Sequence, residues 1–293
     1  MELVIMQLVN GLQLGAIYAL MALGYTMVYG ILKLINFAHG DLLMIGAYSA
    51  YFLVLAEIPI GIAFVAAMAI CGASAMLIDK LAYKPLRSQP RLKALITAMG
   101  VSLLIENGSR MIPFIGPNFR RFPDVVELKY FHVTGNIVLT NIQLMNLGLA
   151  LFLMVVLTLV IRRTKIGIAM RAVSLDQKAA RLMGINVENV IAVTFAMGGA
   201  LAGTAGVMTA ITYPRLSPYM GIMPGLKAFV AAVFGGIGSV PGAMIGGILM
   251  GVVETAATAW HSQIAEGVFF VLLLVVLLFR PFGLMGKSSR EKV

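Results

Sequence analysis

Leu144-Met145-Asn146-Leu147-Gly148-Leu149-Ala150-Leu151-Phe152-Leu153-Met154-Val155-Val156-Leu157-Thr158-Leu159-Val160-Ile161 contains no charged residue, and Arg162-Arg163 follows at once. At about 1.5 Å of rise per residue the stretch makes a helix of roughly 27 Å, close to the ~30 Å of hydrocarbon in a bilayer. The arginine pair marks where such a helix leaves the lipid. The pattern recurs along the chain, with apolar runs near 3–32, 42–57, 60–78, 94–112, 141–161, 189–212, 226–238, 241–260 and 264–280. Only helices and closed barrels satisfy their backbone in lipid. The fold class is therefore all-α, a polytopic membrane helix bundle of about eight to nine segments in one transmembrane domain covering 1–293.

Composition agrees. Of 293 residues, 60% are hydrophobic and 12% charged, with 31 glycines. With Gly counted and Tyr omitted the apolar share is about 68%, against roughly 45–50% in soluble domains. A soluble protein cannot cover that fraction, and a disordered chain would leave it in water. Met1-Glu2-Leu3 has neither a basic leader nor a small-residue cleavage site, so the first run reads as a membrane helix. Cys71 is the single cysteine. It excludes an intramolecular disulfide and reads as a small buried hydrophobe.

The net charge is +10, and its placement matters more than its size. Sixteen of the 22 basic residues fall in four segments: Lys33; Lys80 to Lys93; Arg162 to Arg181; and a tail with Arg280, Lys287, Arg290 and Lys292. Basic residues gathered in short connections are a positive-inside signature, not a nucleic-acid surface. With those segments cytoplasmic, the N-terminus is outside and the C-terminus inside. Residues 162–188 then form a cytoplasmic loop and 113–140 an exterior one. The exterior loop carries Arg120, Arg121, Asp124, Glu127 and Lys129, with Pro113, Pro117 and Pro123 opposing helix at its start. It fits a surface for a soluble partner and a plain connection equally.

Two runs are short, 42–57 and 226–238. They abut Asn36-Phe37-Ala38-His39-Gly40-Asp41 and Gly235-Gly236-Ile237-Gly238-Ser239-Val240-Pro241-Gly242. Short, interrupted segments mark discontinuous helices at transport sites. The two breaks are expected near one another. Candidates for a translocation path are Asn36, His39, Asp41, Gly235, Gly236, Gly238 and Ser239, with Asn10, Gln13 and the membrane-embedded Glu254. Glu106 and Arg110, four apart, read as a local ion pair.

Catalytic signatures are absent: no H-E-x-x-H, no G-x-S-x-G, and three scattered histidines, His39, His132 and His261. Gly286-Lys287-Ser288 imitates a phosphate loop, but Pro281 stands where that motif needs Gly. No catalytic residue, metal site or bound cofactor is expected.

The loop Ser174-Leu175-Asp176-Gln177-Lys178-Ala179-Ala180-Arg181-Leu182-Met183-Gly184 reads as a short amphipathic helix over 175–183. Ser174 and Gln177 form a capping box, Asp176 suits the first turn, and Gly184 suits a left-handed exit. Leu175, Ala179, Leu182 and Met183 share one face, which needs a lipid interface or, as favoured here, a groove on a partner protein.

These residues carry a resemblance. Asn10-Gly11-Leu12-Gln13-Leu14-Gly15-Ala16-Ile17-Tyr18-Ala19-Leu20, Gly24-Tyr25-Thr26-Met27-Val28-Tyr29-Gly30, Ile35 to Asp41, Gly184-Ile185-Asn186 and Lys227 to Ala243 are similar to LivH-type permeases of the branched-chain amino acid ABC importer family. The similarity covers nearly everything outside 113–140. It implies a bacterial inner-membrane, multi-pass, non-catalytic subunit that translocates branched-chain or related amino acids. It also implies a second related permease, two cytoplasmic ATPase subunits holding ATP and Mg, and a periplasmic binding protein. The ATPase-docking loop of many importers reads E-A-A-x3-G. Ala179, Ala180 and Gly184 match it and Lys178 replaces the Glu, so Leu175, Asp176, Ala179, Ala180, Leu182, Met183 and Gly184 are the docking candidates. Two alternatives stand beside this reading: an ion-coupled secondary transporter acting as a single chain, and the same importer class carrying urea or short amides. A cysteine at Ser88 should be labelled only from the cytoplasm and one at Asn118 only from outside. Labelling of both from one side would overturn the topology.

Overall fold

Each apolar run folds as a helix because lipid leaves the backbone no other partner than itself. The structure, a computed structural model, describes residues 2–87, 89–134, 137–280 and 282–286. Ser88, Lys287, Ser288, Arg290 and Lys292 lie outside the described residues. Five helices are long and apolar enough to cross a membrane. They are α1 (Glu2–Leu32), α3 (Ile60–Ile78, prolonged by tighter and wider turns to Leu86), α5 (Asn141–Arg163), α8 (Val187–Thr212) and α10 (Val240–Trp260). The remaining runs are α2 (His39–Leu55), α4 (Arg91–Met111), α9 (Ile222–Gly235) and α11 (Ser262–Phe279). Two further helices, α6 (Lys165–Leu175) and α7 (Gln177–Leu182), fill the loop after α5.

The chain is organised around α1, whose residues Ala16 to Leu23 are at most 3% exposed. It packs on α10, α8, α9 and α5. In lipid, helices associate by close contact and not by expulsion of water, so small residues decide where backbones meet. A Cβ built on Gly15 would stand 2.6 Å from the Ile248 carbonyl oxygen, and one on Gly11 2.7 Å from Val252 Cα. Gly247 and Gly251 of α10 return the approach, against Ala19 and Gly15. The α3–α8 seam is built likewise: Gly199 and Gly203 sit on Cys71, which is fully buried, free, and donates its thiol to the Leu42 carbonyl at 3.3 Å.

Opposite ends of the bundle differ. One holds the antiparallel pairs β1 (Arg120–Arg121) with β4 (Arg215–Leu216) and β2 (Tyr130–Thr134) with β3 (Ile137–Thr140). Phe122 and Leu216, 1% and 0% exposed, pin β1 and β4 to the bundle, so 113–140 is more than a slack connection. The other end gathers Lys33, the 79–87 turns, α6 and α7.

The shorter segments are interrupted helices. At ~1.5 Å per residue, α2 and α9 reach only about 26 Å and 21 Å. His39, which opens α2, packs on Gly24 of α1, eight residues or roughly 12 Å short of the α1 end. Gly225, in the first turn of α9, lies against Gly40 and the Tyr25 hydroxyl. Both helices thus begin within the bundle.

Replacing Gly15 by Leu should overpack the α1–α10 seam, at about 1–3 kcal/mol. The melting temperature of the purified protein in detergent should fall by several degrees. Gly100→Ala, where nothing lies within 4 Å of the new Cβ, should leave it unchanged.

Candidate functional site

Three regions take up the residues singled out in the sequence. The first is a polar cavity of about 570 Å³ at the sheet-bearing end, lined among others by Asn10, Gln13, Gln143, Thr212, Tyr213 and Glu254. Three candidates from two runs, Asn10 and Gln13 of α1 and Glu254 of α10, therefore meet. Gln13 Nε2 and Asn146 Nδ2 both donate to Thr212 Oγ1, at 3.2 and 2.8 Å, and Gln143 Nε2 donates to Asn10 Oδ1 at 2.7 Å. Gln143 also closes a capping box with Thr140 at the start of α5, which fixes its position. At the floor, Glu254 accepts from Tyr18 at 2.6 Å and from Lys227 at 2.5 Å, and Lys227 Nζ lies 4.9 Å over the Phe269 ring. A buried ion pair is tolerated when both charges are fully bonded. This one ties α1, α9, α10 and α11 together. Lys227, Tyr18 and Thr212 were not foreseen; the one signal was a lysine standing alone in an apolar run.

The second region is the start of α2. Asn36 accepts from the Tyr83 hydroxyl at 2.6 Å, which anchors the break to the turn after α3. His39 is 1% exposed, its ring 4.6 Å from that of Tyr25, and its Nε2 has no hydrogen-bond partner. Asp41 stands in the first turn of α2, where the helix dipole favours a carboxylate. Gly40 does not pack on the Gly235–Gly242 turn, as the sequence suggested, but on Gly221 and Gly225 at the start of α9. Gly235 instead meets Gly242, and Gly236 meets Gly286, at the far end of α9. Ser239 caps α10 by accepting from Gly242 N, while Gly238 takes φ 94°. The expected Glu106–Arg110 pair is also replaced. Arg110 turns to the Tyr219 hydroxyl at 2.5 Å and to Asn107, and Glu106 turns inward to Ser102 and Asp41.

The third region is the loop after α5. It holds two helices where the sequence suggested one over 175–183. Ser174 belongs to α6 and donates to the Arg171 carbonyl, so it is no cap. The cap of α7 is Asp176, which accepts from Lys178 N at 2.7 Å and Ala179 N at 3.0 Å. Ser174 is engaged inside α6, and the charged Asp176 carboxylate makes short, charge-assisted bonds to the free N–H groups of α7. Those two bonds hold its carboxyl below the usual range, so the cap persists at neutral pH and is lost only as pH falls through the lowered value. Gln177 donates instead to the Ile31 carbonyl at the end of α1, at 2.9 Å. Gly184, at φ 81°, closes α7 with bonds from Gly184 N to Arg181 O and from Ile185 N to Ala180 O. This is the Schellman pattern. Ala180 is buried, while Leu175, Leu182 and Met183 are 88%, 89% and 82% exposed. Behind them Arg87 bridges Asp79 and Glu188, both at 2.6 Å, and Arg181 reaches Glu188 at 3.5 Å.

Comparison with known proteins adds the context. The family described as branched-chain amino acid transport system / permease component matches residues 7–278. The high-affinity branched-chain amino acid transport system permease protein LivH of Escherichia coli K12 is 41% identical, over 98% of this chain and 97% of its own. BraD of Pseudomonas aeruginosa, of the same description, is 41% identical with the same coverage. Among solved structures, PsaBC from Streptococcus pneumoniae in complex with Fab aligns with a TM-score of 0.44 at 12% identity, over 95% of this chain and 90% of that one. With two polar regions built inside an apolar helix bundle and a family match along almost its whole length, the chain belongs to the permease components of branched-chain amino acid transport systems.

Proposed function

We propose that this chain is the non-catalytic permease subunit of an ATP-driven importer of branched-chain amino acids. It would sit in a bacterial inner membrane with its N-terminus outside. A second related permease, two ATPase subunits that hold ATP and Mg, and a periplasmic binding protein would complete the assembly. Full-length similarity to LivH and BraD supports the solute class. The observation that carries the coupling is the exposed Leu175, Leu182 and Met183 around a helix capped at both ends. Three large apolar side chains held in water beside a buried Ala180 are a surface awaiting a groove.

In this reading the solute enters at the sheet-bearing end, where Asn10, Gln13 and Glu254 line the polar cavity. Nucleotide-driven movement of the ATPases would displace α7. The displacement reaches α1 through the Gln177 bond to Ile31 and reaches α8 and the 79–87 turn through Arg181, Glu188 and Arg87. The 79–87 turn is tied to the Asn36 break by Tyr83, so the bundle can alternate between outward and inward openings there.

Leu182→Asp places a charge in the docking face, and burying an unpaired charge is strongly unfavourable. Solute-stimulated ATPase activity of the reconstituted assembly should fall by roughly tenfold or more, a loss of about 1.4 kcal/mol or more, while membrane insertion is retained. Gly184→Val, which forces a β-branched residue to positive φ, should act in the same direction. Lys178→Ala, off the apolar face, is the control and should behave as wild type. Undiminished stimulation in Leu182→Asp would remove α7 from coupling.

A further inference from the structure

Where α2 and α9 begin, a second cavity of about 250 Å³ is lined by Asp41, Ser102, Glu106, Tyr25, Phe37 and Phe229, among others. Asp41 is 2% exposed and Glu106 7%. The two carboxyl groups lie close enough to interact with each other and with Ser102, whose hydroxyl donates to Glu106 Oε1 at 3.4 Å. Asp41 Oδ2 is buried with no hydrogen-bond partner. No lysine, arginine or histidine is among the lining residues described. Lys227 is committed to Glu254, Arg110 to Tyr219, and the His39 ring faces Gly24 and Tyr25.

Two acidic groups at membrane depth need a positive charge or protons, because an unpaired buried carboxylate is too costly to retain. The rest of the wall is apolar: Met99, Leu103, Ile222, Leu226 and the two phenylalanines. The volume equals the share of roughly eight waters at ~30 Å³ each, the scale of one small aliphatic amino acid. The geometry points to a solute subsite in which Asp41 and Glu106 accept hydrogen bonds from the α-ammonium group of a branched-chain amino acid in transit, its side chain lying against the phenylalanine and leucine wall. The Ser102 hydroxyl orients Glu106. This assignment rests on the import function proposed above and names where within the chain the solute is held.

The test uses the whole assembly in proteoliposomes, with binding protein, and labelled leucine as probe. Leucine uptake by the wild-type assembly tests the import reading itself. Given that uptake, Asp41→Asn and Glu106→Gln should each lower its initial rate by roughly tenfold, the loss of one charge-assisted hydrogen bond. Co-purification of all subunits and basal ATPase activity should stay unchanged, and Asp41→Glu should restore part of the rate. Both amides mimic protonated acids, so a site that merely holds a proton, or a merely structural one, would leave uptake intact and overturn the assignment. Wild-type uptake that requires sodium or potassium would overturn it as well, in favour of a metal cation.

Discussion

A peptide group in hydrocarbon without a partner costs several kcal/mol, and two helices of this chain begin where that cost applies. The starts of α2 and α9 lie against Gly24, Tyr25 and one another, well short of the α1 terminus. Neither has a side-chain cap. Their exposed ends are covered by surrounding backbone and by local turns such as His39 N to Asn36 O and Ile222 N to Tyr219 O. Glycine at 40, 221 and 225 is what lets backbone serve as cover for backbone. Much else follows from that arrangement. Asp41 is carried to the interior on the first turn of a helix, Asn36 is tied to Tyr83, and a cavity remains between the two starts.

Charge is distributed by the same economy. The interior holds Glu254 with Lys227 as an ion pair, with Tyr18 donating to the same carboxylate and the ammonium over Phe269. Asp41 and Glu106 are held without a cation. One arrangement braces four helices; the other leaves capacity for a ligand. At the basic end, Arg87 and Arg181 share Glu188, so the loop after α5 and the turn between α3 and α4 are fastened to one carboxylate.

The helices were legible because lipid demands apolar length, and length survives any packing detail. All nine apolar runs have a helix in the described residues. What remained hidden depended on distance along the chain. Lys227 and Glu254 are 27 residues apart, beyond any local pattern. Gly221 and Gly225 sit after Pro214 and Pro218 in a stretch that reads as an ordinary connection. Glu106 and Arg110 obeyed the i,i+4 spacing, yet Arg110 bonds Tyr219 across the bundle and Glu106 bonds Ser102 of its own helix. In the loop after α5 the type of element was right and its beginning wrong. Ser174 satisfied a sequence rule for a cap, but α6 runs through it and Asp176, two residues on, binds the free amides more strongly.

The glycine seam between α1 and α10 has a mechanical meaning. Sliding α10 by one turn, about 5.4 Å, would bring Gln7 or Leu23 to where Gly11 and Ala19 now touch the opposite backbone. No such room exists, so the two helices have no freedom between them and behave as one stiff beam. A one-turn slide of α10 along α1 is therefore closed to the pair during a transport cycle. The parts that can turn are those joined to the beam by side chains alone: the helix starts at 39 and 222, and the loop suspended from Ile31.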